Sequence, residues 1–230
     1  KIYMTGSPRV DLWRPNLFDY WGNKIKNLDK PFLLIPSNFG AGVTVQSFYE
    51  RILIRKRGGY LDREPEMLKK LVERESEQIK LIGYFIEAIK YLSNQNKNYH
   101  IVLRPHPSES IKAWKSIIGD HKNIFVINDG SIGKWIRKAK LVMHNGCTSG
   151  VESSISNVPT IAYRPLRSNF EIKFPNTLSI NIFDEQNLIR KIKQIIKKKK
   201  FFYTKQKKLN NYFCNLENNF AFDNIVKEWE

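Results

Sequence analysis

LVMHNGCTSGVESSISNVPTIAYRP, residues 141–165, holds two apolar runs separated by a polar, glycine-bearing turn and a short stretch of small residues. LVMHN (141–145) reads as a strand, 149–156 as a helix and PTIAYRP (159–165) as a second strand. Both strand segments are mainly apolar before their polar ends and do not alternate, the pattern of strands covered on both faces, as in a parallel sheet. A strand, a helix and a strand in this order is the unit of such a sheet.

Working outward, the same rhythm recurs. FLLIPSNFG (32–40) is an apolar run ending in Ser, Asn and Gly, HIVLRPHP (100–107) a strand entering a loop, and NIFVIND (123–129) a further strand. Helices are expected over 109–118, 132–139 and 185–198, with TLSINIF (177–183) as a last strand. From Glu64 a long helix is expected. Pro65 suits its first position, and Leu68, Val72, Ile79, Ile82, Ile86 and Ile89 mark an apolar face. Ile2–Met4 reads as a short strand closed by Thr5-Gly6-Ser7-Pro8, 16–28 as a polar helix, and 41–62 as irregular around Gly58-Gly59. The fold class is therefore α/β, a doubly wound parallel sheet of Rossmann-like type over 1–200, followed by a helical tail over 201–230.

Composition narrows the class. A chain of 230 residues, 41% hydrophobic and 13% aromatic, can bury a core and is not of disordered type. It lacks both a membrane-length apolar run and a secretory leader pattern. Two cysteines, Cys147 and Cys214, make no disulfide framework, so a reducing cytoplasm is expected. The formal charge of +17 admits nucleic acid, an anionic membrane face or an anionic substrate as partner. The run Lys197-Lys198-Lys199-Lys200 closes a helix-like stretch, where cations suit the negative end of the helix dipole. Without a zinc-finger, RNA-binding aromatic or basic-zipper pattern, no nucleic-acid partner is expected. The chain opens at Lys1 directly on apolar residues and is expected to be a piece of something longer.

Ligands of an open parallel sheet bind beyond the carboxyl ends of its strands. Three polar clusters follow expected strands and so belong on one rim: Thr5-Gly6-Ser7-Pro8-Arg9, Arg104-Pro105-His106-Pro107 with Ser108 and Glu109, and 144–152. In the last, Thr148 or Ser149 can cap the helix, and Gly150 lets backbone approach a ligand. First-turn amides with the helix dipole form a phosphate site, and Glu152, one turn in, can accept from ribose hydroxyls. Arg104 and His106 can add charge-assisted contacts to a phosphate. Asn145 and Arg9 complete the candidate substrate-binding set. His144 reads as a satisfied structural histidine and Cys147 as small-residue packing rather than a nucleophile or metal ligand. GxGxxG is absent, against a nicotinamide enzyme, and neither metal nor cofactor is expected.

TGSPRVDLWRP, SNFG, RPHPSE and HNGCTSGVESSISNVPTIAYRP together resemble the C-terminal half of bacterial surface carbohydrate biosynthesis proteins. These are similar to GT-B-fold glycosyltransferases and, more distantly, to polysialyltransferases and Kdo transferases with an HP motif, CDP-glycerol glycerophosphotransferases and non-hydrolysing UDP-GlcNAc 2-epimerases. The resemblance covers most of residues 1–183. It implies a nucleotide-sugar donor, CMP-, UDP- or CDP-linked, a glycan or lipid-linked acceptor, and an acceptor domain on the N-terminal side that these residues do not include. It implies that His106 contacts the donor phosphate and assists its departure, as the catalytic residue of this half, with Thr148, Ser149, Gly150 and Glu152 holding the donor. Expected, then, is the donor-binding domain of a polysaccharide glycosyltransferase in the cytoplasm, with peripheral contact to anionic membrane. A sugar-nucleotide epimerase and a non-catalytic nucleotide- or glycan-binding module are the alternatives.

Overall fold

A computed structural model describes residues 2–22, 25, 28–40, 43–64, 66–95, 98–197, 209–210, 212–213, 216 and 219–229. Six strands form one sheet: β1 (Phe32–Pro36), β2 (His100–Arg104), β3 (Ile124–Val126), β4 (Leu141–His144), β5 (Thr160–Tyr163) and β6 (Ile180–Ile182). Their order is β3-β2-β1-β4-β5-β6 and every pairing is parallel. This is a Rossmann-like α/β fold. The strand order reverses between β1 and β4, which makes the carboxyl ends of those two strands the switch point where such sheets open a crevice.

The continuous apolar runs are explained by burial on both faces. Phe32 and Leu34 of β1 join one core cluster with Val102, Val142, Trp135 and Ile136, while Leu33 and Ile35 join another with Ile101, Leu103, Phe85 and Trp114. Each fully buried Leu or Ile contributes about 1.5–3 kcal/mol over an exposed one. The first cluster is closed by α6 (Ile132–Lys138) and α7 (Thr148–Ile155), the second by α4 (Met67–Gln95), α5 (Ile111–Ile118) and α9 (Glu185–Lys197).

Several expectations change. Ile2–Met4 is not a strand: Ile2 and Met4 are largely exposed, so little apolar burial holds them extended. Pro8–Asp11 instead forms a single turn, α1, and the helix expected over 16–28 is a 3-10 turn at Pro15–Trp21. The described part of 41–62, from Val43 on, is not irregular. It contains α2 (Phe48–Arg57) and α3 (Tyr60–Arg63), and Ser47 and Glu50 form a reciprocal capping box at the start of α2. Of the apolar face expected on α4, Ile82 and Ile89 are buried, whereas Leu68, Val72 and Ile79 are 45%, 47% and 55% exposed. Pro65 lies outside the described residues. TLSINIF yields only the short β6, preceded by α8 (Lys173–Thr177). Lys198–Lys200, Cys214 and residues 201–208 of the tail also lie outside the described residues. Further on, α10 (Ala221–Lys227) is pinned to α1, where the Asp11 carboxylate accepts from the Ala221 amide at 2.6 Å.

Candidate functional site

At the switch point the ends of three strands are tied to one another. The Ser37 amide donates to the Arg104 carbonyl at 3.0 Å, and Asn145 Nδ2 donates to the Asn38 carbonyl at 3.0 Å. The loop after β1 therefore stands between the RPHP loop and the 144–152 junction. All three lie on one rim, as parallel strands require.

The central tie is Glu109, 4% exposed. Its carboxylate accepts from Ser37 Oγ, from the Phe39 amide at 2.7 Å, from Trp114 Nε1 at 2.9 Å and from the His106 amide at 3.4 Å. Sequence alone gives it no special weight beyond its place after the HP pair. His106 itself is exposed, with Nδ1 accepting from the Ser108 amide at 3.1 Å and paired to Ser108 Oγ at 2.7 Å. That arrangement assigns the proton of the neutral ring to Nε2, the nitrogen free to donate outward. Arg104 is turned the other way. Its guanidinium donates to the Asp129 carbonyl at 2.8 Å and to the Gly130 carbonyl, bracing the loop after β3. Burial lowers its pKa and Asp129 partly restores it.

At the 144–152 junction Gly146 takes φ +88°, a turn that favours glycine. The helix then begins one residue earlier than expected. Cys147, not Thr148 or Ser149, holds the capping position and makes no side-chain cap bond, because its thiol is buried toward the Pro36 carbonyl at 3.9 Å. Burial pushes this thiol up to about 11, so it is a protonated packing group at neutral pH. Thr148 is exposed and Ser149 partly so, at the open start of α7.

His144 is fully buried. Its Nδ1 accepts from the Gly146 amide at 2.9 Å. Ser179 Oγ gives its proton to the Pro175 carbonyl at 2.8 Å, so His144 Nε2 must be the donor in their 2.7 Å bond. This is the satisfied structural histidine expected from sequence. It also explains Gly150: an added Cβ would come within 3 Å of the His144 ring. Gly150 admits an imidazole, whatever it also offers a ligand. Gly150→Ala is expected to destabilise the chain by about 1–3 kcal/mol through overpacking, read as a lower denaturant midpoint at constant slope.

Glu152 is buried and its nearest charge is Arg9, 3.9 Å away on α1 with a side chain 81% exposed. Burial pushes the carboxyl up to about 7, and Arg9 pulls it only partly back. Arg9 thus reaches the junction from a helical turn rather than from a strand end. The structure brings Arg9, Glu152, Thr148 and Ser149 to one end of α7, with Asn145 behind them and His106 across the β1 loop. It leaves the Arg104 side chain out of that group. Among the described residues there is no cluster of three metal-ligating side chains, and no helix long and apolar enough to cross a membrane.

No protein-family model matches the sequence, and no curated protein matches it. Solved structures do. A UDP-N-acetylglucosamine 2-epimerase superposes with TM-score 0.52 at 13% identity, over 98% of this chain and 50% of that one. The UDP-GlcNAc 2-epimerase of Methanocaldococcus jannaschii gives TM-score 0.50 at 16% identity, over 100% of this chain and 55% of that one. The chain has the fold of part of these enzymes and spans about half of their length. At such identities the likeness is one of fold.

Proposed function

We propose that this chain is the nucleotide-sugar-binding domain of a glycosyltransferase of cell-surface polysaccharide synthesis. One observation carries the reading: the uncapped start of α7 lies at the switch point of a Rossmann-like sheet, with a buried carboxyl one turn inside it. The first-turn amides and the helix dipole suit a diphosphate or monophosphate, Thr148 and Ser149 add hydroxyls, and Arg9 adds charge from the exposed side. Glu152 accepts from the ribose hydroxyls. His106, donating through Nε2, stabilises the charge that grows on the departing nucleotide phosphate. Arg104 acts one step back, by bracing the loop after β3.

The two solved epimerases of the same fold favour a second reading, a sugar-nucleotide epimerase, which interconverts free sugar nucleotides without an acceptor. Product analysis of the full-length protein separates the two. The sequence resemblance and the charge of +17 support the transferase, working in the cytoplasm at an anionic membrane face on a glycan or lipid-linked acceptor.

The test is a thermal-shift panel of CMP, CDP, UDP and their sugars. One nucleotide class is expected to stabilise the chain, by about 2.7 kcal/mol at a hundredfold excess over Kd, and Ser149→Pro is expected to lose most of that shift by removing an amide. No shift with any nucleotide, with native melting intact, refutes the assignment.

A further inference from the structure

Beside the α7 site, on the α4 side of the rim, lies a pocket of about 100 Å³ between the ends of β1, β4 and β5 and the first half of α4. Arg104, His106 and residues 148–152 are not in its wall; Asn145 and Gly146 are. Four buried side-chain polar atoms among the described residues lack a hydrogen-bond partner, and three are amide oxygens of this one pocket: Gln78 Oε1, Asn145 Oδ1 and Asn176 Oδ1. Asn176 is only 5% exposed. A buried acceptor left unpaired costs about 1–3 kcal/mol, so three gathered around one pocket are a sizeable burden for a fold with nothing to gain from them.

The charge pattern narrows what they serve. Three arginines and three glutamates line the pocket, so its formal charges cancel. Arg51 is paired to Glu75 with a bond of 2.9 Å, Arg164 grips Glu171 through Nε, at 2.9 Å, and Nη2, and Glu77 accepts from Ser168. With two arginines held by glutamates and Arg74 exposed, the balanced wall does not single out a phosphate or a carboxylate. Its surplus is of acceptors, and Leu81, Leu166 and Phe170 give it apolar surface. Tyr163, whose phenol burial pushes up to about 12, remains a neutral hydroxyl at working pH.

We infer that this pocket binds an uncharged sugar ring, whose hydroxyl or amide hydrogens are donated to the oxygens of Gln78, Asn145 and Asn176. A pyranose has the required donors and an apolar face, and no charge to unbalance the two ion pairs. The ring can come from the sugar of a nucleotide-linked donor or from a glycan acceptor. Binding of a free saccharide needs no nucleotide and so stands apart from the function proposed above.

The experiment follows the side-chain amide signals of Asn145, Asn176 and Gln78 in the uniformly 15N-labelled chain. N-acetylglucosamine, its short oligosaccharides, UDP and UDP-N-acetylglucosamine are each added. Shifts of the three amides with a free saccharide identify a glycan subsite; shifts with UDP-N-acetylglucosamine but not UDP identify the donor's sugar. UDP acting on Thr148–Gly150 reports on the α7 site separately, so either reading can fail alone. Gln78→Leu and Asn176→Leu are expected to melt no lower than the parent, since each removes an orphaned oxygen, while saccharide affinity falls about tenfold or more. The proposal is overturned if no saccharide-bearing ligand moves the three amides. It is equally overturned if both variants melt lower with an unaltered saccharide response, which assigns the amides to the fold.

Discussion

Glu109→Ala lowers stability by about 3–5 kcal/mol, enough to leave the chain partly unfolded at ordinary temperatures, because it strips partners from several buried donors together. Ser37 Oγ, the Phe39 amide and Trp114 Nε1 all end on this one carboxylate, with the His106 amide at its margin. Trp114 is fully buried against Phe39, so water cannot replace what is lost without opening the core. Glu109→Gln keeps the shape and one acceptor oxygen, but turns an amide nitrogen toward a donor; it is expected to fall between parent and Ala. Urea unfolding followed by Trp fluorescence reads the order, as a falling midpoint at constant slope. Equal stability of Ala and parent would show that the rim loops hold without this tie.

The same residue marks how far a linear reading reaches. Strands β1, β2, β4 and β5 are legible because parallel strands covered on both faces leave uninterrupted apolar runs, a signal that survives without any knowledge of pairing. Strand order is not legible: nothing in FLLIP states that it pairs with both HIVLR and LVMH. Helix α2 is hard to read because none of its residues is buried in the core and Gly58-Gly59 follows it, although its Ser47–Glu50 box is a usable local sign. The first half of α4 shows the converse. Leu68, Val72 and Ile79 keep helical spacing yet are exposed, while Leu71 and Glu75 between them are buried. Periodicity finds the helix, not which of its faces is covered.

For the site, sequence gives the rim but not the direction of the side chains along it. Arg104 ends its strand where expected, yet its guanidinium is spent on the Asp129 and Gly130 carbonyls. In the sequence Gly150 reads as room for a ligand, and a histidine six residues back is one reason for it. The sugar pocket was invisible for a different reason. Gln78, Asn145 and Asn176 come from a helix, a strand end and a single turn widely separated in the chain, and no spacing rule connects them. Only the unpaired state of their oxygens does.

Glu152→Gln carries the second large effect, and its sign depends on pH. In the unfolded chain this carboxyl ionises near 4.5; in the folded chain burial holds its proton until about 7, with Arg9 opposing only weakly from its exposed position. Between those values the folded state binds more protons than the unfolded one, so stability falls as pH rises through the window and is level on either side. Glutamine has no charge to bury. Near pH 4.5 the variant and parent should therefore melt together, while at pH 8 the variant should be more stable by roughly 3 kcal/mol, or on the order of 5–10 °C in Tm. A parent whose melting temperature is flat from pH 5 to 8, or a variant no more stable at pH 8, sinks the assignment of a buried carboxyl here. Retaining an acid at such a cost is intelligible if its ionised form has work to do. On the proposed reading, ribose hydroxyls donate to the carboxylate, so nucleotide affinity should rise as pH passes 7, and in Glu152→Gln that rise should vanish together with the stability penalty.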